Sequence, residues 1–168
     1  YGATDTSGNT ATEVQRIVTV GDTGAPVILL VGNILVTHEA KTTYVDAGAT
    51  ASDTLDGNLI VTSVSTVNTD MVGSYSVTYS VSDANGNAAA DVVRKVSVVD
   101  TTKPVITLLG NATETVEAKG TYKDAGASAS DILDGSLTVT SVNTVNTDSV
   151  GSYSVTYSVS DANGNAAD

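Results

Sequence analysis

Residues 72–89 read VGSYSVTYSVSDANGNAA. Within them Tyr75, Val77, Tyr79 and Val81 alternate with Ser74, Ser76, Thr78 and Ser80, so an extended segment here has one apolar and one hydroxylated face. That period of two predicts a half-buried antiparallel strand. It runs into Asp83-Ala-Asn-Gly-Asn87, where short polar side chains and a glycine favour a tight loop. Downstream, Val92, Val96 and Val98 share a parity broken only by Arg94; upstream, Ile28 and Leu30 alternate in the same way after Pro26. Turn residues at Leu55-Asp-Gly57 and Val72-Gly-Ser74 separate these segments. About six or seven short strands in this span suit a two-sheet sandwich. Ser, Thr, Val, Ala, Asp and Gly dominate the chain and the good helix formers are scarce, so the fold class is all-β.

The stretch at 72–89 returns unchanged at 150–167. DTGAPVILLVGN at 22–33 returns as DTTKPVITLLGN at 100–111, and YVDAGATASDTLDGNL at 44–59 returns as YKDAGASASDILDGSL at 122–137. The offset is 78 residues throughout, and 52 of the 69 aligned pairs between 22–90 and 100–168 are identical, which marks a recent tandem duplication. Residues 1–20 align with 79–98, the tail of a third copy. The expected division is therefore 1–21 as the C-terminal strand of a preceding repeat, 22–99 as repeat one, and 100–168 as repeat two without its last strand. Pro26 and Pro104 open the ladder of each repeat. The chain reads as a window on a longer periodic array.

Asp70-Met-Val-Gly73-Ser-Tyr75 is similar to the tyrosine corner of immunoglobulin-type sandwiches, although the Cys and Trp of antibody domains are absent. The whole pattern is D-T-x-x-P-x-I-x-L-x-G, then Y-x-D-x-G-A-x-A-x-D-x-x-D-G, then G-x-Y-x-V-x-Y-x-V-x-D-x-x-G-N, closing on R-x-V-x-V. It resembles the bacterial surface immunoglobulin-like repeats first delineated in a pesticidal crystal protein and related to hyalin-type repeats. The resemblance covers both repeats and the leading fragment. It implies tandem immunoglobulin-like β-sandwiches with a binding or spacer role, extracellular or at the cell surface, and no catalysis.

Composition narrows the function independently. With 19 Asp and Glu against 7 Lys and Arg, the net charge of −12 repels nucleic-acid backbones and anionic headgroups. No apolar run approaches the roughly 20 residues that span a bilayer, so membrane insertion is not expected. The absence of Cys removes disulfides, thiolate metal sites and cysteine nucleophiles, and a single His leaves no triad or His-rich metal site. His38 aligns with Val116, which speaks against a catalytic role, and the sequon at Asn111-Ala-Thr113 has no counterpart at Asn33. Asp53 and Asp56 could be drawn as a glycosidase pair, but a duplicated loop without aromatic platforms or a pocket reads as structure.

Fifteen of the 19 acidic residues are Asp, and most recur at the repeat period. If the first strand runs away from the preceding joint, the next returns and delivers Asp53 and Asp56 to the near end. The Tyr75–Val81 strand likewise brings Asp83 and Asn85 there, beside Asp22. The counterparts Asp100, Asp131, Asp134, Asp161 and Asn163 should gather at the joint between repeats, where Glu39 and Asp70 from the bottom of repeat one would join them. Carboxylates so gathered repel one another unless a cation intervenes. Calcium fits an all-oxygen, irregular site, whereas zinc would want His or Cys. Against this stands the ordinary Asx loop, in which Asp and Asn bond their own backbone and need no metal. An EF-hand is excluded, because Arg94 stands where its closing Glu belongs. Asp46 and Asp124 read as caps of a bulge.

The leading expectation is a structural and adhesive array, a stalk or fibre of head-to-tail repeats stabilised by their neighbours and by calcium at the joints. An accessory module holding a secreted enzyme to a carbohydrate or other ligand is the alternative, against which the inward parity of most tyrosines speaks. A second alternative is a filament in which 13–20 of one chain completes the open sandwich of the next.

Overall fold

The computed structural model describes residues 2–168. Repeat one holds seven strands: β1 (Val27–Leu30), β2 (Leu35–Glu39), β3 (Ala49–Asp53), β4 (Gly57–Leu59), β5 (Thr62–Ser65), β6 (Gly73–Ser80) and β7 (Val92–Val99). They form an antiparallel sheet in the order β1-β3-β4 and a mixed sheet in the order β2-β7-β6-β5. β1 and β2 are one continuous run that changes sheets at residues 31–34, where Gly32 takes a φ of 81° that a side chain would resist. β2 then lies parallel to β7, from Leu35 opposite Lys95 to Glu39 opposite Val99.

The alternation read at 72–89 is the packing pattern. Val77 and Tyr79 are buried against Ile28 and Ala51, while Val96 and Val98 are buried with Ala40 in a second cluster lower in the sandwich. The tyrosine corner is formed in both repeats: Tyr75 donates its hydroxyl to the Met71 carbonyl and Tyr153 to the Ser149 carbonyl, each at 2.9 Å.

Arg94, the exception to the β7 pattern, points inward and is 1% exposed. It makes five hydrogen bonds: to the Asp46 carboxylate, to the Tyr79 hydroxyl (2.7 Å), and to the carbonyls of Val31, Asn33 (3.0 Å) and Gly48 (3.2 Å). Asp46 does cap its turn, accepting from Gly48 N at 2.9 Å, and it also accepts from Tyr44 (3.1 Å) and Tyr79. Burial works against its charge, but the bonds from Tyr79 and Arg94 outweigh it and hold the carboxyl below the ordinary range. The core of the sandwich is thus partly ionic, and it ties the β1–β2 crossover, the 44–48 turn, β6 and β7 together.

Within residues 100–168, repeat two reproduces part of this arrangement. β8 (Val105–Leu108), β9 (Ala127–Asp131) and β10 (Gly135–Leu137) reproduce the first sheet in the order β10-β9-β8, but the second is only β11 (Thr140–Asn143) paired with β12 (Val155–Ser158). Residues 100–168 include no counterpart of β7. In repeat one β2 pairs with β7 alone, and Gly73–Ser76 also takes its partners from β7. Without that strand, residues 113–117 and 151–154 have no ladder to join and form none. Residues 13–20, the β7-like segment ahead of repeat one, are exposed.

Candidate metal centre at the repeat joint

Three loops of the same design occur in the chain, two of them at the upper ends of the repeats. Asp83 Oδ1 accepts the backbone N–H of Asn85 (2.9 Å) and Asn87 (2.7 Å), and Oδ2 accepts the Asn87 amide (2.7 Å). Asp161 makes the same three bonds to Asn163 and Asn165. So does Asp5, to Ser7 and Asn9, although residues 2–12 are all exposed. The loop therefore closes on its own hydrogen bonds, as an Asx loop does.

A second aspartate shapes the Leu-Asp-Gly turn. Asp53 Oδ1 accepts from Leu55 N (2.7 Å) and Asp56 N (3.2 Å), and Asp131 Oδ1 accepts from Leu133 N (2.7 Å) and Asp134 N (3.1 Å). Asp56 and Asp134 lash the two loops together by accepting from Ala84 N (2.8 Å) and Ala162 N (2.7 Å). The third aspartate comes from the joint. Asn85 donates its side-chain amide to Asp22 (3.2 Å), and Asn163 donates to Asp100 (2.8 Å).

These bonds bring Asp22, Asp53 and Asp83 together at one end of repeat one, and Asp100, Asp131 and Asp161 at the joint, each trio with an oxygen apiece within 4.8 Å of the others. The residues match, but the burial does not. All three joint carboxylates are 8% exposed, whereas of the first trio only Asp83 is buried. The joint is covered by repeat one: Leu133 packs against the Ala40, Val96 and Val98 cluster at its lower end. Glu39 reaches across to accept from Thr101 N (2.8 Å) and Oγ1 (2.8 Å) and from Thr102 N (3.2 Å) and Oγ1 (2.9 Å).

Burial raises the Asp100 carboxyl above the ordinary range, and the charges of Asp131 and Asp161 add to this against the bonds from Asn163 and Thr102. Asp161 goes the other way, because its Asn165 and Asn163 bonds outweigh the burial. Asp131 spends Oδ1 on its turn, while Oδ2 is buried with no hydrogen-bond partner. Buried polar oxygens are normally satisfied, so an orphan among three carboxylates points to a missing positive charge. The cluster can chelate a divalent ion, and its all-oxygen donors suit a hard one.

The structure does not bring Glu39 and Asp70 into either trio. Glu39 is spent on Thr101 and Thr102, and Asp70 forms an exposed ion pair with Lys41 at 2.9 Å, as Asp148 does with Lys119 at 2.8 Å. The sequence reading missed the Arg94 and Asp46 pair, for which the polar residue at an inward parity was the available signal.

Comparison with known families matches residues 28–98 and 106–168 to the family described as "Bacterial surface protein, Ig-like domain". The chain belongs to this bacterial surface Ig-like family. Its two Ig-like domains follow one another in tandem and pack end to end at the joint just described. Among solved structures the chain is similar to the lipoprotein BT2262 from Bacteroides thetaiotaomicron, at 20% identity and a TM-score of 0.40. The match covers 49% of this chain and 44% of that one, so the chain spans less than half of that protein's length. No curated protein matches it. An Ig-like tandem of this kind is not an enzyme, and among the described residues the lone His38 is engaged with Thr42. No helix among them is long and apolar enough to cross a membrane.

Proposed function

We propose that this bacterial surface Ig-like tandem is part of an extracellular stalk or fibre that holds an adhesive or binding element away from the cell, with calcium bound at its joints. The observation that carries the reading is the buried trio Asp100, Asp131 and Asp161 with its unpartnered Asp131 Oδ2. Calcium supplies the positive charge this cluster calls for and tolerates an irregular set of carboxylates, amides and backbone oxygens, whereas magnesium holds its own water more firmly. Asn163 would complete the set by turning its amide oxygen inward, and Asp134 lies at the rim. In repeat one the same roles fall to Asp22, Asp53 and Asp83, with Asn85 and Asp56 at the rim. Neutralising the joint would also restrict bending between repeats.

Thermal unfolding at low ionic strength, with calcium or with EDTA, tests this. Calcium should raise the midpoint of the chain, and magnesium at equal concentration should do so less. Asp131→Asn should raise the midpoint in EDTA, by relieving repulsion, while removing most of the response to calcium. A midpoint identical in calcium and EDTA would overturn the reading.

A further inference from the structure

We propose, resting on the calcium reading above, that Glu39 is the positioning residue of the joint: without touching the ion, it fixes Asp100 for it and fastens that carboxylate to the body of repeat one.

The three joint carboxylates have different origins. Asp131, with its unpartnered Oδ2, ends β9, and Asp161 closes its own loop, so repeat two shapes both. Asp100 instead belongs to the segment between the repeats, directly after β7 ends at Val99. The two residues that follow it are held from repeat one. Glu39 Oε1 accepts from Thr101 N at 2.8 Å, Thr102 N at 3.2 Å and Thr102 Oγ1 at 2.9 Å, and Oε2 accepts from Thr101 Oγ1 at 2.8 Å. Bonds to an ionised acceptor are the strong kind. Thr102 N also lies 3.2 Å from Asp100 Oδ1, so its hydrogen is shared between the two carboxylates. Asp100 can therefore give that oxygen to an ion without stranding the N–H, which stays with Glu39.

Glu39 is itself firmly placed. It ends β2, opposite Val99 in the parallel ladder with β7. Its carbonyl accepts the Thr42 hydroxyl at 2.7 Å, and the next residue, buried Ala40, donates its N–H to the Val99 carbonyl at 2.7 Å. Lys41 then takes a φ of 58°, in the left-handed region that a side chain resists. Its N–H bond to the Thr69 carbonyl (2.8 Å) and its ion pair with Asp70 (2.9 Å) hold it there. Repeat two keeps this turn, with Lys119 at a φ of 65° and paired to Asp148. Of the five residues of β2, only Thr37 and Glu39 return unchanged 78 positions on, as Thr115 and Glu117. Ala40 supports the other side of the site, because Leu133, two residues beyond Asp131, packs on its cluster. Consecutive residues of repeat one thus address two of the segments that carry the carboxylates.

Calcium titration calorimetry of the whole chain, at neutral pH and low salt, tests the role of Glu39. Asp131→Asn marks the joint by removing its share of the heat. Glu39→Gln should weaken the joint site about tenfold or more, as losing a group that orients a metal ligand does. Thr101→Val with Thr102→Val changes no charge and should weaken it severalfold. In an Asp131→Asn background neither change should alter what binding is left, since the residues act through one site. Native circular dichroism in EDTA checks that each variant is folded. A joint site that binds calcium equally well in Glu39→Gln would overturn the role of Glu39 and leave the calcium reading standing. Weakening by Glu39→Gln that the threonine pair does not share would overturn it too, by reducing Glu39 to its charge. A native chain with no calcium heat that depends on Asp131 would overturn both.

Discussion

Arg94 shows how one side chain can organise a small core. Burying a guanidinium is costly, and only its full set of acceptors makes the site viable. Replacing it with methionine keeps the volume but strands Asp46 beside carbonyls that have lost their donor. Arg94→Met should cost about 3–5 kcal/mol in urea unfolding of repeat one, as expected when one member of a buried pair is removed. The same network sets part of the acid response. The folded-state value of Asp46 lies below its ordinary 3.8, so the carboxylate stabilises the fold at neutral pH, and that contribution is lost as pH falls through the depressed value. In Asp46→Asn the fall in stability below about pH 4 should be shallower, whatever the loss at neutral pH. In repeat two the Asp124 bond, with burial adding to it, pushes the Tyr157 hydroxyl up to about 12, so absorbance titration should show it ionising after ordinary tyrosines.

The strands are legible in the sequence to different degrees. Val77 and Tyr79 announce β6 because inward and outward residues alternate without exception. β7 is harder to read, since Arg94 occupies an inward position for reasons that lie in the 44–48 turn and the β1–β2 crossover. Gly73-Ser-Tyr-Ser76 and Gly151-Ser-Tyr-Ser154 are the same four residues, yet only the first are in a strand, because only they have β7 beside them. Strand formation there is a property of the partner, which no local pattern records. The site divides similarly. The topology of alternating strands was enough to gather the six trio aspartates, but the destinations of Glu39 and Asp70 depended on Thr101 and Lys41. Since β7 supports two other segments, Val96→Pro should loosen β2 and β6 together, read as faster amide exchange across both strands.

Between the repeats, Leu133 is the main apolar link and Glu39 the polar one. Leu133→Ala should cost about 1–2 kcal/mol in thermal unfolding, the transfer free energy of a partly buried side chain. Its counterpart Leu55 is exposed, so Leu55→Ala should change the midpoint little.

The parallel pairing of β2 and β7 matters most when the chain is pulled. Tension along the array enters through the start of the β1–β2 run and leaves through the end of β7, so it draws the two strands past each other, and the hydrogen bonds between Leu35–Glu39 and Lys95–Val99 resist together in shear instead of parting one at a time. Single-molecule stretching should therefore find repeat one giving way at a markedly lower force once Val96→Pro interrupts that ladder.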